Sequence, residues 1–184
     1  MRHERKVIRL RNFDYRSKSS HFVTICTGNR EYYFGKIMNG EIEYSAIGLI
    51  AKQFWECIPD HFPHAVLDAF VIMPNHVHAI IKIRTCHGMS DIRTCHVDDI
   101  GTCHGMSLFN KFGRPVAGSV SMVVNHYKAA VKRWCNKNGY ESFMWQSRFY
   151  DQIINDEKGI ETIRKYIKNN PRNWTGDEDD FNDS

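Results

Sequence analysis

His76 and His78 bracket Val77 in the run Met73-Pro74-Asn75-His76-Val77-His78-Ala79-Ile80-Ile81. In an extended strand, residues two apart project to one face, so the imidazoles point one way while Val77, Ala79, Ile81 and Ile83 point the other. The apolar set seeks the core, which predicts the histidines side by side on the less buried face. Two neutral imidazoles are half of a divalent-metal site. The alternative is a pair of surface histidines. A second group lies in Arg164-Lys165-Tyr166-Ile167-Lys168-Asn169-Asn170-Pro171. Tyr166 and Asn170 stand one helical turn apart, so both side chains can reach the same point. Tyr166 also borders an isoleucine stripe, where packing with a wet hydroxyl is the competing role.

A third cluster is repetitive. Thr-Cys-His occurs three times in 20 residues, at Cys86-His87, Cys95-His96 and Cys103-His104. Soft and imidazole ligands together suit Zn. The ligands, however, are adjacent in each unit rather than spaced as in a knuckle, and the flanks have no apolar period. A loop grown by duplication is the preferred reading.

The elements that must position these groups follow from periodicity. Residues 20–27, rich in β-branched and aromatic side chains, read as a strand. Residues 34–37 and 41–44 flank Asn39-Gly40 as a hairpin. Helical spacing of Ile47, Ile50, Ala51, Phe54, Trp55 and Ile58 predicts a helix over 47–62. Strands follow over 66–73 and 76–83, joined by Pro74-Asn75. A second helix covers 119–136 with Val120, Val123, Val124, Tyr127, Ala130, Val131 and Trp134 on one face. Residues 143–154 read as a strand. A last helix over 157–169 carries Ile160, Ile163 and Ile167. This order predicts an α+β, ferredoxin-like sandwich with a mostly antiparallel sheet and helices packed on it. We expect one domain over 1–174, with 84–114 as a variable repeat-containing loop and 175–184 as an acidic tail.

With 184 residues, 42% hydrophobic and 25% charged, the chain has the composition of a soluble domain able to bury a core. No apolar run is long enough to span a bilayer and no signal-peptide pattern follows Met1, so no membrane association is expected. Six cysteines in such a chain point to reduced thiols. The formal charge of +4 conceals an asymmetry. Without the five acids Asp177, Glu178, Asp179, Asp180 and Asp183, the remaining 25 bases face 16 acids, a balance of +9. That level suits a polyanion.

Four segments occur in order: Phe22-Val23-Thr24-Ile25-Cys26-Thr27, Val71-Ile72-Met73-Pro74-Asn75-His76-Val77-His78, Trp145-Gln146-Ser147-Arg148-Phe149-Tyr150-Asp151 and Tyr166-Ile167-Lys168-Asn169-Asn170-Pro171. With them the chain resembles the single-tyrosine HUH transposases, and within these the branch associated with repetitive extragenic palindromes. The Thr-Cys-His loop departs from the pattern where the family varies.

The resemblance implies a metal-dependent endonuclease and strand transferase acting on single-stranded DNA next to hairpins. It gives Tyr166 the role of nucleophile, forming a 5′-phosphotyrosine. It gives His76, His78 and Asn170 the role of ligands to one Mg²⁺ or Mn²⁺. Around them, Arg9, Arg11 and Arg16 are expected to grip phosphates of a hairpin stem. Trp145 and Arg148 are expected to stack on a base or hold a phosphate, and Gln146 to read a base edge. For Trp145, core filling is the equal alternative. A cytoplasmic, nucleoid-associated protein is implied, acting singly or as a homodimer. Tyr150 is the rival nucleophile. Two other functions stay open: a noncatalytic hairpin-binding protein, and a phosphoesterase with a histidine nucleophile, although Ile80 stands where a third histidine would be needed.

Overall fold

The computed structural model describes residues 19–84 and 119–175. The Thr-Cys-His repeats, Arg9, Arg11, Arg16 and the acidic tail therefore lie outside the described residues. The strands β1 (Ser19–Cys26), β4 (Ala65–Met73), β5 (His76–Ile83) and β6 (Tyr150–Ile154) form one sheet in the order β4-β5-β1-β6, with every neighbouring pair antiparallel. The strands β2 (Gly35–Met38) and β3 (Glu41–Tyr44) make a separate hairpin. Its turn has left-handed φ at Asn39 (55°) and Gly40 (77°), the backbone a two-residue hairpin requires.

Helix α1 (Ala46–Glu56) precedes the β4–β5 hairpin and α3 (Val120–Lys137) follows it. Both cover one face of the sheet. This gives the βαββαβ order of a ferredoxin-like sandwich, as the periodicity predicts. The main core lies here: Val23, Ile25, Val77, Ala79, Ile81 and Ile83 from the sheet meet Ala51 and Trp55 of α1 and Val123, Val124, Tyr127 and Val131 of α3. Each fully buried aliphatic side chain contributes about 1.5–3 kcal/mol.

The opposite face is also covered. Helix α4 (Glu157–Asn169) starts at Asp156, whose Oδ1 accepts from Gly159 N at 2.6 Å. It buries Ile160 and Ile167 against Phe22, Ile80 and Ile154, with Ile163 and Tyr166 at the margin. The histidine face is thus a second, smaller core rather than a solvent face. Sheet periodicity assigned the histidines to the correct side, but the helix that covers that side arrives 79 or more residues later in the chain.

Two elements differ from expectation. The helix expected over 47–62 is split: α1 ends at Glu56 and a short α2 (Ile58–His61) follows. Pro59 has no N–H to continue the ladder and its ring excludes the preceding turn, so the break falls just before it. The strand expected over 143–154 is regular only from Tyr150. Before that, the chain is tied to the end of β1 and the two residues after it by Gly28 N to Met144 O (2.7 Å), Gln146 N to Cys26 O (2.9 Å) and a lone bridge between Thr27 and Trp145. The carbonyls of Phe143 and Gln146 turn to α3, where Lys132 Nζ donates to Phe143 O at 2.6 Å and Lys128 Nζ to Gln146 O at 2.7 Å. Among the described residues, no helix is long and apolar enough to cross a membrane.

Candidate functional site

The site forms where β5 passes under the C-terminal turn of α4. His76 and His78 are each 1% exposed, with ring centroids 4.3 Å apart. They are therefore adjacent and on the side away from the main core, as the sequence suggests, but α4 buries them there. The His78 ring stacks on Phe22 at 5.2 Å. Its Nδ1 lies 2.9 Å from Thr24 Oγ1, the residue opposite it in the β1–β5 register. Its Nε2 lies 3.2 Å from the Tyr166 hydroxyl. Both partners are hydroxyls, so either tautomer is satisfied. The Nδ1–H form donates to Thr24 and leaves Nε2 as acceptor for Tyr166.

His76 Nδ1 stands 2.7 Å from Asn75 Oδ1. An amide oxygen only accepts, so Nδ1 carries the proton and Nε2 keeps its lone pair, the arrangement that prepares an imidazole for a metal. Asn75 is fixed in turn, because its carbonyl accepts both Thr27 N and Thr27 Oγ1 at 2.9 Å. Burial lowers the pKa of His78 to about 3, with the nearby Arg30 charge adding to the effect. Burial likewise holds His76 well below the usual histidine range, helped by His78 and Arg30. Both rings are neutral at physiological pH, the form that binds cations.

Asn170 caps the end of α4 and is 5% exposed. Its Oδ1 is buried and makes no hydrogen bond. A buried acceptor left in this condition costs stability unless a ligand completes it. Among the described residues no group of three His, Cys, Asp or Glu side chains could hold a metal ion. For a cation at the two imidazoles, Asn170 is the oxygen donor that the sequence names, at the end of the helix that brings Tyr166 to His78. That N,N,O set fits Mn²⁺ and Mg²⁺, and its imidazoles favour Mn²⁺.

The helix that supplies Tyr166 and Asn170 is clamped to the sheet by charge. Arg164 Nε and Nη2 donate to Asp68 Oδ1 and Oδ2, each at 2.8 Å, and Lys82 Nζ reaches Asp68 Oδ2 at 2.7 Å. Asp68 sits at the irregularity where the β4–β5 register shifts between Leu67 and Phe70. The Arg164 guanidinium, followed by Lys82, holds the Asp68 carboxyl well below the usual carboxylate range.

The remaining candidates lie elsewhere. Trp145 is half-buried, donates Nε1 to Lys128 O at 3.0 Å and packs against Phe34, Phe143 and Tyr127. Gln146 and Arg148 are exposed on the segment leading into β6. Tyr150 shares the histidine face, opposite Thr24 on the edge strand, but it is exposed and its hydroxyl lies 3.5 Å from Gln152 Oε1. Sequence reasoning did not single out Thr24, Asn75, Arg30 or Trp174. Asn75 could have been noticed from its place next to His76. Thr24 became visible only through strand register.

No family profile matches the chain. An uncharacterised protein of Haemophilus influenzae is 36% identical over 181 residues, covering 96% of this chain and 93% of that protein. The structure of a REP-associated tyrosine transposase bound to a REP hairpin superposes with a TM-score of 0.56 at 16% identity, over 89% of this chain and 72% of that one. That likeness is one of fold.

Proposed function

This chain belongs to one family with the Haemophilus influenzae protein, and we propose that its function is that of a metal-dependent, single-strand DNA endonuclease and strand transferase. It cleaves beside DNA hairpins through a 5′-phosphotyrosine. The observation that carries the reading is the contact of the Tyr166 hydroxyl with His78, beside His76 and on a helix whose end carries the unsatisfied Asn170 Oδ1. Support also comes from the fold shared with a transposase that binds a REP hairpin and from the basic body of the chain.

In this reading His76, His78 and Asn170 hold one Mg²⁺ or Mn²⁺, which when bound polarises the phosphate oxygens and offsets their charge. Tyr166 Oη attacks the scissile phosphorus. The Oη–P bond forms as the P–O3′ bond breaks, the phenol proton is released, and the leaving oxygen takes up a proton to become a 3′-hydroxyl. Phosphodiester energy is kept in the tyrosine link, so a second 3′-hydroxyl can reverse the step and join strands. Thr24 and Asn75 orient the imidazoles, while the Asp68–Arg164–Lys82 clamp holds the nucleophile's helix on the sheet. Tyr166 serves the histidines of its own chain.

The test is a denaturing gel of protein mixed with a single-stranded hairpin substrate in Mn²⁺ and in EDTA. The wild type and Tyr150→Phe give a covalent adduct in Mn²⁺ only. Tyr166→Phe gives none yet still binds the hairpin. Adduct formation by Tyr166→Phe overturns the assignment, and no adduct from any variant leaves a noncatalytic binder.

A further inference from the structure

Helix α3 grips the segment before β6 with two lysines one turn apart. Lys132 Nζ donates to Glu141 O at 3.0 Å and to Phe143 O at 2.6 Å. Lys128 Nζ donates to Gln146 O at 2.7 Å and reaches Ser147 O at 3.5 Å. At Lys128 the grip is returned, because its own carbonyl accepts the Trp145 indole Nε1 at 3.0 Å. Side chain and backbone together thus join Lys128 to three consecutive residues, Trp145, Gln146 and Ser147. The ammonium is half-buried, which disfavours its charge, and the carbonyls offset that cost.

This clasp lies at the histidine end of the sheet. Gln146 N donates to Cys26 O at 2.9 Å, and Cys26 stands opposite His76 in the β1–β5 register. Trp145 is bridged to Thr27, whose Oγ1 donates to the carbonyl of Asn75, the partner of His76. The Trp145 ring packs among Phe34, Phe143 and Tyr127. The residues that follow lie outside that packing: Gln146, Ser147 and Arg148 are all exposed. A buried anchor therefore carries an exposed guanidinium, on a segment one strand away from His76.

We infer that Lys128 is a positioning residue for the strand transfer: without touching DNA itself, it fixes the 145–148 backbone so that Arg148 meets a DNA phosphate beside the His76 end of the site. This rests on the nuclease reading. The Lys128 ammonium is committed to two carbonyls. Arg148, one residue beyond the gripped Ser147, offers the planar fork that matches a phosphate. An arginine on an untethered segment would have to order its backbone at every binding event, and the clasp removes that entropy loss beforehand.

The test measures affinity of the full chain for a DNA hairpin with a single-stranded flank, by fluorescence anisotropy across a salt series. Arg148→Ala binds about tenfold more weakly than wild type, and its slope of log affinity against log salt falls by about one, the share of one phosphate. Lys128→Met keeps the aliphatic stem, loses the donors and shows the same weakening and the same loss of slope. The double variant Lys128→Met with Arg148→Ala is no weaker than either single variant, because one contact has been removed twice. Lys128→Arg, which can still donate to the carbonyls, restores binding to within about twofold of wild type. Losses that multiply to about a hundredfold in the double variant overturn the inference, since Lys128 then acts on DNA by itself. A wild-type slope in Lys128→Met, or in Arg148→Ala, overturns it as well, and leaves the clasp a packing feature. Should Lys128→Met fail to fold, Trp145→Phe removes the other half of the clasp and faces the same comparison with Arg148→Ala. Adduct formation by the wild type in Mn²⁺ reports on the nuclease reading separately. Adduct with multiplying losses removes only the role of Lys128, and non-multiplying losses without adduct remove only the chemistry.

Discussion

The Tyr166 hydroxyl stands 3.2 Å from His78 Nε2, bridging α4 and β5 across 88 positions of sequence. In the Nδ1–H tautomer of His78, the one lone pair on Nε2 faces two suitors: the tyrosine proton and a cation shared with His76 and Asn170. It cannot serve both. Tyr166→Phe should therefore bind Mn²⁺ slightly more tightly, by about two- to tenfold, the worth of one neutral hydrogen bond. Titration of Mn²⁺ by electron paramagnetic resonance measures this. Weaker binding by the variant would show that the phenol oxygen is itself a ligand.

Asn75 should matter to the metal without touching it. Its side chain fixes the tautomer and orientation of His76, and such supporting bonds are worth about 10–100-fold in metal affinity. Asn75→Ala is expected to lose Mn²⁺ affinity in that range while keeping the wild-type circular dichroism spectrum. Thr24→Val tests the same principle at His78. An unchanged affinity in both variants would mean that burial alone orients the rings.

Asp68 links pH to the seating of α4. Its folded pKa lies below the unfolded value of about 3.9. The contribution to stability is fully present above the unfolded value and is lost as pH falls through the folded one. The melting temperature of Asp68→Asn should lie a few degrees below wild type at neutral pH, with the gap constant down to about pH 5 and closing below about pH 4. The variant should also form adduct more slowly, because Tyr166 sits two residues from Arg164. Parallel melting curves across this range, with no closure, would show the ion pair to be a passive surface contact.

Arg9, Arg11 and Arg16 are expected to act by neutralising phosphates. Replacing all three with alanine should reduce the slope of log affinity against log salt by about 2–3, close to one for each phosphate that an arginine neutralises. Binding of the hairpin across a salt series checks it. A slope equal to that of wild type places the phosphate grip elsewhere on the basic body.

Sequence alone determined which residues share an element and which side of it they occupy. A period of two put His76 with His78 and sent Val77, Ala79 and Ile81 to the main core. A period near 3.6 made α4 amphipathic and set Tyr166 one turn from Asn170. These are local rules, imposed by backbone geometry over a few residues. Tertiary structure decided what covers each side. Burial of the histidines, the Thr24 and Tyr166 partners of His78, the Asp68 clamp and the ring contact of Tyr32 with Trp174 all join residues distant in sequence. No local period encodes them, because they follow from strand order and from the need of α4 to bury Ile160 and Ile167. Trp145 shows the same division: its place in an extended segment follows from local sequence, whereas its bridge to Thr27 and its indole hydrogen bond to Lys128 depend on how β1 and α3 pack.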